Sequence, residues 1–157
     1  MAQINISTAG IKLMYCVETT AGTRPTTLAD YTEIEGIISI PAIDSTPDTL
    51  ETTTLNNTEF KSYIAGLKDV GGSLEFTFNK SDDLDTKWNA LIEAYETGIA
   101  TQKRTWFVVY TDKLVNSFFF EGEPSSLGLS EVTVNSVLGQ MAYITPGEIA
   151  GWLTKLS

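Results

Sequence analysis

The residues of this chain that are able to do chemistry are almost all carboxylates. The sequence contains no histidine and one cysteine, Cys16. Without histidine, the chain lacks the commonest general acid and base at neutral pH, and Ser-His-Asp and Cys-His nucleophiles are excluded. A single cysteine excludes an internal disulfide, a thiolate zinc site and a two-cysteine redox pair. Cys16 lies in an alternating apolar run, so we interpret it as a small buried hydrophobe.

Two sets of carboxylates remain as candidates for chemistry. Asp82, Asp83 and Asp85 offer oxygen ligands for a divalent cation, but their spacing lacks the glycine and the distant glutamate of a calcium loop. We interpret them as acids in the first turn of a helix, where the helix dipole favours negative charge. The second set would be a hydrolase pair drawn from Glu75, Glu121, Glu123 and Glu131. Charged residues on the outer faces of strands are usually only solvated, so this is the weaker hypothesis.

Glycine patterns do not add an enzymatic motif. Gly71-Gly72 precedes a strand pattern and not a helix, and the chain has no phosphate-loop motif. We therefore expect no catalytic residue, no metal and no cofactor.

The charge of the chain argues against stable binding to nucleic acid. It has 20 acidic and 10 basic residues, a net charge of −10, with Lys103-Arg104 as its densest basic site. Such a surface repels phosphate and anionic lipid, although an acidic balance often serves solubility alone. No signal peptide and no apolar run of about 18 residues is present, so we expect synthesis in the cytoplasm and no membrane segment.

Period-two alternation predicts most of the secondary structure of this 157-residue chain. The predicted strands are 11–18, 31–40, 73–79, 105–110, 117–123, 127–137 and a closing strand at 140–145 that ends before Pro146. One amphipathic helix is predicted at about 82–97, with Ser81 as its N-cap and Gly98 as its C-terminal stop. Its apolar residues, which should pack on the sheet, are Leu84, Trp88, Leu91, Ile92 and Tyr95. These elements predict a mainly β protein, a β-sandwich or barrel-like subunit with one inserted α-helix.

The segment between the second and third predicted strands, at about 41–66, is the most informative part of the chain. Its centre is rich in threonine and has strand propensity but little apolar face of its own. We expect this arm to contact a partner surface, and to be mobile alone and ordered only between subunits. The residues assigned to its centre are Asp48, Thr49, Leu50, Glu51, Thr52, Thr53, Thr54 and Leu55.

The order of these elements resembles the major tail tube proteins of long, non-contractile-tailed bacteriophages. The resemblance rests on the Thr-rich segment 48–55, the run 66–79 (Gly-Leu-Lys-Asp-Val-Gly-Gly-Ser-Leu-Glu-Phe-Thr-Phe-Asn), the helix and the Phe-rich hairpin with Gly122. It implies a single tail tube domain over 1–157, without the C-terminal immunoglobulin-like domain of some members. It also implies a virion protein that is assembled in the host cytoplasm.

The resemblance further implies a structural subunit that forms hexameric rings stacked head to tail. The arm would contact neighbouring subunits, and the lumen would pass the tape measure protein and, transiently and non-specifically, DNA. Other implied partners are the tail terminator and the distal tail or baseplate proteins. Acidic groups facing the lumen would repel passing DNA over a Debye length of about 8 Å. The candidates for this surface, on the polar sides of two predicted strands, are Glu75, Glu131, Thr133 and Asn135.

Three other functions remain open from the residues. One is a monomeric β-sandwich module that binds a peptide or glycan, and another is the carboxylate hydrolase described above. The third is the tube protein of a related contractile injection or secretion device, which sequence patterning does not separate from a phage tube.

Overall fold

The computed structural model describes residues 6–44, 46–69 and 72–157. In these residues one α-helix follows six strands and precedes four more. The strands are β1 (Lys12–Val17), β2 (Thr32–Ile34), β3 (Ile37–Ser39), β4 (Thr46–Glu51), β5 (Tyr63–Asp69), β6 (Leu74–Asn79), β7 (Thr105–Tyr110), β8 (Asn116–Pro124), β9 (Gly128–Leu129) and β10 (Gly139–Thr154). Helix α1 spans Asp82–Ala100, and a short 3-10 turn spans Leu28–Asp30. The prediction of a mainly β protein with one inserted helix is confirmed.

Eight of the strands form one sheet that nearly closes on itself. Its order is β2-β1-β7-β8-β10-β6-β3, with β9 paired to β10. Strands β2 and β3 lie at opposite ends of this order, yet only Glu35 and Gly36 separate them in the chain. The two edges must therefore lie side by side, because two residues span only about 7 Å. Gly36 turns the chain there with a φ of +86°, and the Asn79 N–H donates to its carbonyl at 2.9 Å.

The predicted second strand, 31–40, is therefore two short strands that pair with different neighbours. Strand β2 pairs with β1, whereas β3 pairs with β6. Glycine at position 36 allows the break, because a positive φ has little steric cost without a Cβ atom.

Both faces of β1 are buried, in two separate core clusters. Leu13 and Tyr15 belong to the larger cluster with helix α1 and the Phe-rich strands. Met14 and Cys16 point to the opposite face, into a smaller cluster with Tyr31, Trp106 and Leu156. The 3-10 turn and the C-terminus cover that second face, since the Leu28 N–H donates to the Ser157 carbonyl at 3.0 Å. The sheet is thus covered on both sides around β1 and β7.

Helix α1 lies where the apolar periodicity predicts, and it is one turn longer than expected. The Ser81 hydroxyl accepts a hydrogen bond from the Leu84 N–H at 3.1 Å, as an N-cap does. The helix continues to Ala100 and not to about 97. Gly98 lies inside the helix, so the prediction that it stops the helix is wrong. A Cβ at this position would lie 2.9 Å from Val17 Cγ1, so the glycine permits close packing against β1.

Two further predictions of strand bounds are wrong. Region 127–137 is not a strand: only Gly128–Leu129 pairs, and residues 130–138 form a loop in which 131–138 are exposed. In that loop the Ser136 hydroxyl donates to the Thr133 carbonyl at 2.8 Å and Asn135 has a φ of +62°, which is turn chemistry. The closing strand does not end before Pro146, since β10 continues to Thr154 through irregular pairing at Pro146/Glu148. A proline is tolerated at such a bulge because a ladder donor is already missing there.

Candidate assembly surface

The arm of the chain is a separate β-hairpin. Strands β4 and β5 pair with each other in a two-stranded sheet that is distinct from the eight-stranded one. The hairpin extends to Asp69, three residues beyond the predicted arm, and its return strand β5 was not predicted. We therefore define the arm by its observed bounds, residues 46–69.

Hydrogen bonds within the arm explain its many threonines. The Thr53 hydroxyl accepts from the Ser62 N–H at 2.8 Å, and the Thr52 N–H donates to the Ser62 carbonyl at 2.7 Å. At the tip, the Asn57 side-chain oxygen accepts from the Thr54 N–H at 2.7 Å and from the Thr54 hydroxyl at 3.0 Å. Small hydroxyl and amide side chains thus close the loop locally, which is the usual role of Thr, Ser and Asn in turns.

The arm also has apolar residues on both of its faces, contrary to the expectation of little apolar face. Leu50 and Ile64 are directly opposite each other in the pairing, so they lie on one face. Tyr63 and Ala65 lie on the other face, where Glu51 is the partner of Tyr63; a register shift between Pro47 and Thr49 interrupts the alternation before Leu67. These side chains are exposed, Leu67 by 86%. A two-stranded hairpin with two exposed apolar faces is marginally stable alone in water, so a protein surface is expected to cover it.

Of the predicted arm residues, 48–51 lie in β4 and 52–55 lie at the start of the tip. All of them are exposed except Thr53, which is half-buried. Sequence reasoning missed Tyr63, Ile64 and Leu67. The run Tyr-Ile-Ala-Gly-Leu was the available signal, because aromatic and β-branched residues favour strands.

The helix residues predicted to pack on the sheet do so to different degrees. Leu84, Trp88 and Leu91 are fully buried in the larger core cluster, and Ile92 packs against it while half-buried. The Trp88 indole N–H donates to the Ser125 carbonyl at 2.7 Å, and the ring meets Phe78 edge to face at 6.3 Å. Tyr95 is half-buried beside Glu123; burial, and then this carboxylate, raises the pKa of its hydroxyl.

The four residues predicted to face a lumen do not share one row of the sheet. Glu75 is exposed on β6, opposite Tyr143 of β10. Glu131, Thr133 and Asn135 are exposed in the loop 130–138, which precedes β10, and not on a strand. The prediction that they lie on strands is wrong for these three residues, and their orientation in an assembly stays a prediction.

The carboxylates proposed for chemistry lie in ordinary structural surroundings. Asp83 pairs with Lys87 at 3.4 Å and Asp85 pairs with Lys80, both at the start of α1. In the part of the chain that the structure describes, no group of three or more His, Cys, Asp or Glu residues is placed to hold a metal ion. No helix there is long and apolar enough to cross a membrane.

Glu18 is the centre of the most elaborate polar network. Its carboxylate accepts hydrogen bonds from the Arg104 N–H at 2.8 Å, the Trp106 indole at 3.2 Å and the Gly22 N–H at 3.2 Å. Burial alone would raise the pKa of Glu18, but these donors outweigh it and lower the pKa. The Arg104 guanidinium also binds Glu148 at 2.6 Å and lies over the Trp106 ring. This network joins β1, β7 and β10, and its fully satisfied carboxylate is structural and not poised to react.

Solved structures with a similar fold include a baseplate chain, a tail chain and a chain of a contractile injection system. A chain from the six-fold symmetrised baseplate of the anti-feeding prophage matches with a TM-score of 0.64 at 10% identity, covering 98% of both chains. A chain from the tail of an empty GTA particle, refined with C6 symmetry, matches with a TM-score of 0.58 at 11% identity, covering 94% of this chain and 98% of that one. The chain has the fold of tail components.

A third match comes from an extracellular contractile injection system. It is a chain from the PVC sheath/tube terminator in the extended state, with a TM-score of 0.57 at 12% identity, covering 96% of this chain and 99% of that one. Neither a protein-family model nor a curated protein matches the sequence. The tail-component fold is therefore recognised through structure, and the resemblance noted in the sequence is confirmed at the level of the fold.

Proposed function

We propose that the chain is a structural, non-catalytic subunit of a tail tube that assembles into stacked hexameric rings. The observation that carries this proposal is the arm: a hairpin that pairs only with itself and exposes apolar side chains on both faces. In a monomer these surfaces favour unspecific aggregation, whereas in an assembly they become contacts.

The geometry of ring and stack follows from the kind of interface that such an arm makes. An arm on one subunit meets a different patch on the next, which is a heterologous contact, and such contacts close into rings or extend into filaments. Two of the similar structures have six-fold symmetry, in a baseplate and in a tail. In a tube of stacked hexameric rings, one set of such contacts closes each ring and another set extends the stack.

The proposed lumen would pass the tape measure protein during assembly and DNA during ejection. With a net charge of −10, the subunit would repel DNA phosphates and keep the duplex from adhering. Glu75, on the exposed face of β6, and Glu131, in the loop 130–138, are the proposed acidic contributors. At the tube ends the subunit would contact terminator and baseplate proteins, with the assembly taking place in the host cytoplasm before incorporation into the virion.

The direct test is electron microscopy of the concentrated protein. We expect negative-stain images to show rings of six subunits and tubes, and sedimentation velocity to show species larger than the monomer. Replacing residues 48–66 by a short Gly-Ser turn should leave the circular dichroism spectrum and the cooperative melting of the eight-stranded sheet in place but abolish rings and tubes. A wild-type protein that remains monomeric in these experiments contradicts the proposal and favours the monomeric binding module.

Because one similar structure comes from a contractile injection system and another from a GTA tail, the proposal covers a tube of either kind. A sheath partner discriminates between them. Tubes that bind a sheath protein of their own genome in co-sedimentation would assign the chain to a contractile device, and tubes that bind none would assign it to a non-contractile tail.

A further inference from the structure

An apolar groove lies at one end of the eight-stranded sheet, where β7, β8 and β10 meet. A cavity of about 430 Å³ is lined by Leu114, Val115, Asn116 and Trp152. A second hollow of about 220 Å³ shares Trp152 and continues towards Ile40 and Val109. We refer to the two together as the groove. Its size is that of a site for several side chains and not for a single ion.

Trp152 is the fixed centre of this groove. Its ring meets Phe118 edge to face, with ring centroids 5.5 Å apart and a 77° angle between the planes, so it is held from one side. Its other surface is open, and the residue is 60% exposed. A large aromatic side chain held in this way and open to solvent is typical of the centre of a protein interface.

Two lysines, which we call the rim, lie beside the residues that line the groove. Lys113 precedes Leu114 in sequence, and the Lys155 N–H donates to the Val115 carbonyl at 3.0 Å. Their ammonium groups donate to backbone carbonyls, Lys113 to Ala9 at 2.7 Å and Lys155 to Asp112 at 3.3 Å. Among the ion pairs of the described residues, neither lysine has a carboxylate partner. Both therefore retain charge for a carboxylate from another molecule.

One face of the arm has the complementary chemistry. Tyr63 and Ala65 lie on this face of β5, and Glu51 is directly opposite Tyr63 on the neighbouring strand. An aromatic ring, an aliphatic side chain and a carboxylate thus lie together on one exposed surface. The arm pairs only with itself, so in the described chain its own groove is left open.

We propose that the groove of one copy receives the Tyr63–Ala65 face of the arm of a second copy, with Glu51 placed against Lys113 and Lys155. This inference rests on the proposed function and adds to it the acceptor surface on the neighbouring subunit. The contact is heterologous, because the arm and the groove are different patches of the same sequence. It therefore repeats from copy to copy and does not end in a two-fold dimer.

Disulfide trapping between variants that each gain one exposed cysteine tests the contact. Ala65→Cys and Val115→Cys are made in separate chains, both positions being exposed, whereas the native Cys16 is buried. We expect the two variants, mixed and mildly oxidised, to give a covalent dimer in non-reducing electrophoresis that neither variant gives alone. The control pairs Ala65→Cys with Glu96→Cys, an exposed position on α1, and should give at least tenfold less dimer.

Different experimental outcomes would contradict the arm-and-groove contact and the proposed function. Tubes that form without a dimer between Ala65→Cys and Val115→Cys would overturn this inference and leave the proposed function intact. Equally, a double variant that closes the disulfide only within one chain would show the arm folded onto its own groove and overturn it. A wild-type protein that never assembles overturns the proposed function, and this inference with it.

A charge exchange tests the rim separately. Glu51→Lys should raise the concentration needed for assembly about tenfold, because it places like charges together. Adding Lys113→Glu and Lys155→Glu to the same chain should restore assembly. A triple variant that assembles no better than Glu51→Lys would contradict the placement of Glu51 against these lysines.

Discussion

At the residue scale, burial and hydrogen bonding give two neighbouring carboxylates opposite effects on stability. Glu18 is 2% exposed and accepts several N–H donors, so its carboxylate is stabilised in the folded state. Glu121, half-buried on β8, has its pKa raised by burial, although Arg104 opposes the shift; the carboxylates of Glu148 and Glu18 raise it further. The first carboxylate stabilises the fold at neutral pH, and the second costs stability there.

We expect Glu18→Gln to lower the free energy of unfolding at pH 7 by about 2 kcal/mol, because the neutral amide cannot satisfy all of the N–H donors that the buried carboxylate accepts. The pKa of Glu18 is lower in the folded chain than in the unfolded one, so its contribution is fully present above the unfolded pKa of about 4.3. It is lost as the pH falls through the lower folded pKa. Urea denaturation at a series of pH values measures this, and a variant as stable as the wild type at pH 7 would contradict it.

Glu121→Gln is the matched comparison on the same network. Its pKa is raised in the folded state, so ionised Glu121 destabilises the fold at neutral pH, and protonation favours folding as the pH falls. The substitution should therefore leave the protein at least as stable as the wild type at pH 7, and any gain should vanish below the unfolded pKa of about 4.3. A loss of stability equal to that of Glu18→Gln would show that Glu121 accepts stabilising contacts.

Cys16 should be unreactive in the folded protein. Burial raises the pKa of its thiol to about 11, so only about one thousandth of it is thiolate at pH 8, and the residue is also inaccessible. We expect an aromatic disulfide reagent to label the native protein only at the rate of unfolding. Val115→Cys, exposed at the groove, should label at least a hundredfold faster. Rapid labelling of wild-type protein in native buffer would mean that β1 opens locally.

At the element scale, the arm is shaped by its own side chains but requires another surface to cover it. Thr53, Thr54, Asn57 and Ser62 fix the tip through local hydrogen bonds. The two apolar faces of the arm, by contrast, are not covered by the eight-stranded sheet, because the arm does not pair with that sheet. The residues that shape the arm are therefore different from the residues that dock it on another surface. Substitutions in one set should affect the shape of the arm, and substitutions in the other should affect its docking.

This separation predicts the result of polar substitutions on the arm. Tyr63→Ser with Leu67→Ser should reduce tube formation at least tenfold while the melting temperature of the protein changes little, because exposed side chains contribute little to the stability of the monomer. The control is Ile99→Ser, an exposed apolar residue on α1, which should leave assembly unchanged. Sedimentation and thermal melting are the two measurements. A large fall in melting temperature for the double variant would place the arm against its own subunit.

The same elements show why some of the fold was predictable from the sequence and some was not. Strands β1, β6, β7 and β8 and helix α1 have strong local periodicity or a clear cap, and these were found. Strand β5 was missed because its apolar residues face solvent in the single chain. Its sequence therefore lacks the alternation of apolar and polar residues that marks a half-buried strand. The extension of β10 beyond Pro146 depends on a bulge, and the break at Gly36 depends on closure of the sheet. Those are long-range constraints that short windows of sequence do not contain.

The candidate site was predictable only in part, for a related reason. Threonine content and the lack of a buried face indicated the arm, but the acceptor groove is made by residues far apart in sequence, from Ile40 to Trp152. The predicted lumen residues Glu131, Thr133 and Asn135 followed an apparent alternation. Local Ser and Thr hydrogen bonds and a left-handed Asn135 override it. Turn chemistry thus prevailed over strand propensity in that loop.

At the scale of the whole molecule, charge opposes the assembly that the surfaces favour. Each copy has a net charge of −10, so neighbouring copies in a ring or stack repel one another. The proposed contacts of Glu51 with Lys113 and Lys155 are exposed, and such pairs contribute only about 0–1 kcal/mol each. The repulsion between whole subunits therefore outweighs these attractive pairs, and the apolar contacts must overcome the difference.

Salt should consequently promote tube formation and not weaken it. Raising the salt concentration from about 10 mM to about 150 mM shortens the Debye length from about 30 Å to about 8 Å, which screens repulsion between subunits more than contacts within an interface. We expect the protein concentration needed for tubes, followed by light scattering, to fall at least tenfold over this range. The matched variant Glu93→Gln with Glu96→Gln removes two charges from the exposed face of α1 and should assemble at lower salt than the wild type. Tubes that dissolve as salt is added would mean that ion pairs, and not the apolar faces of the arm, hold the subunits together.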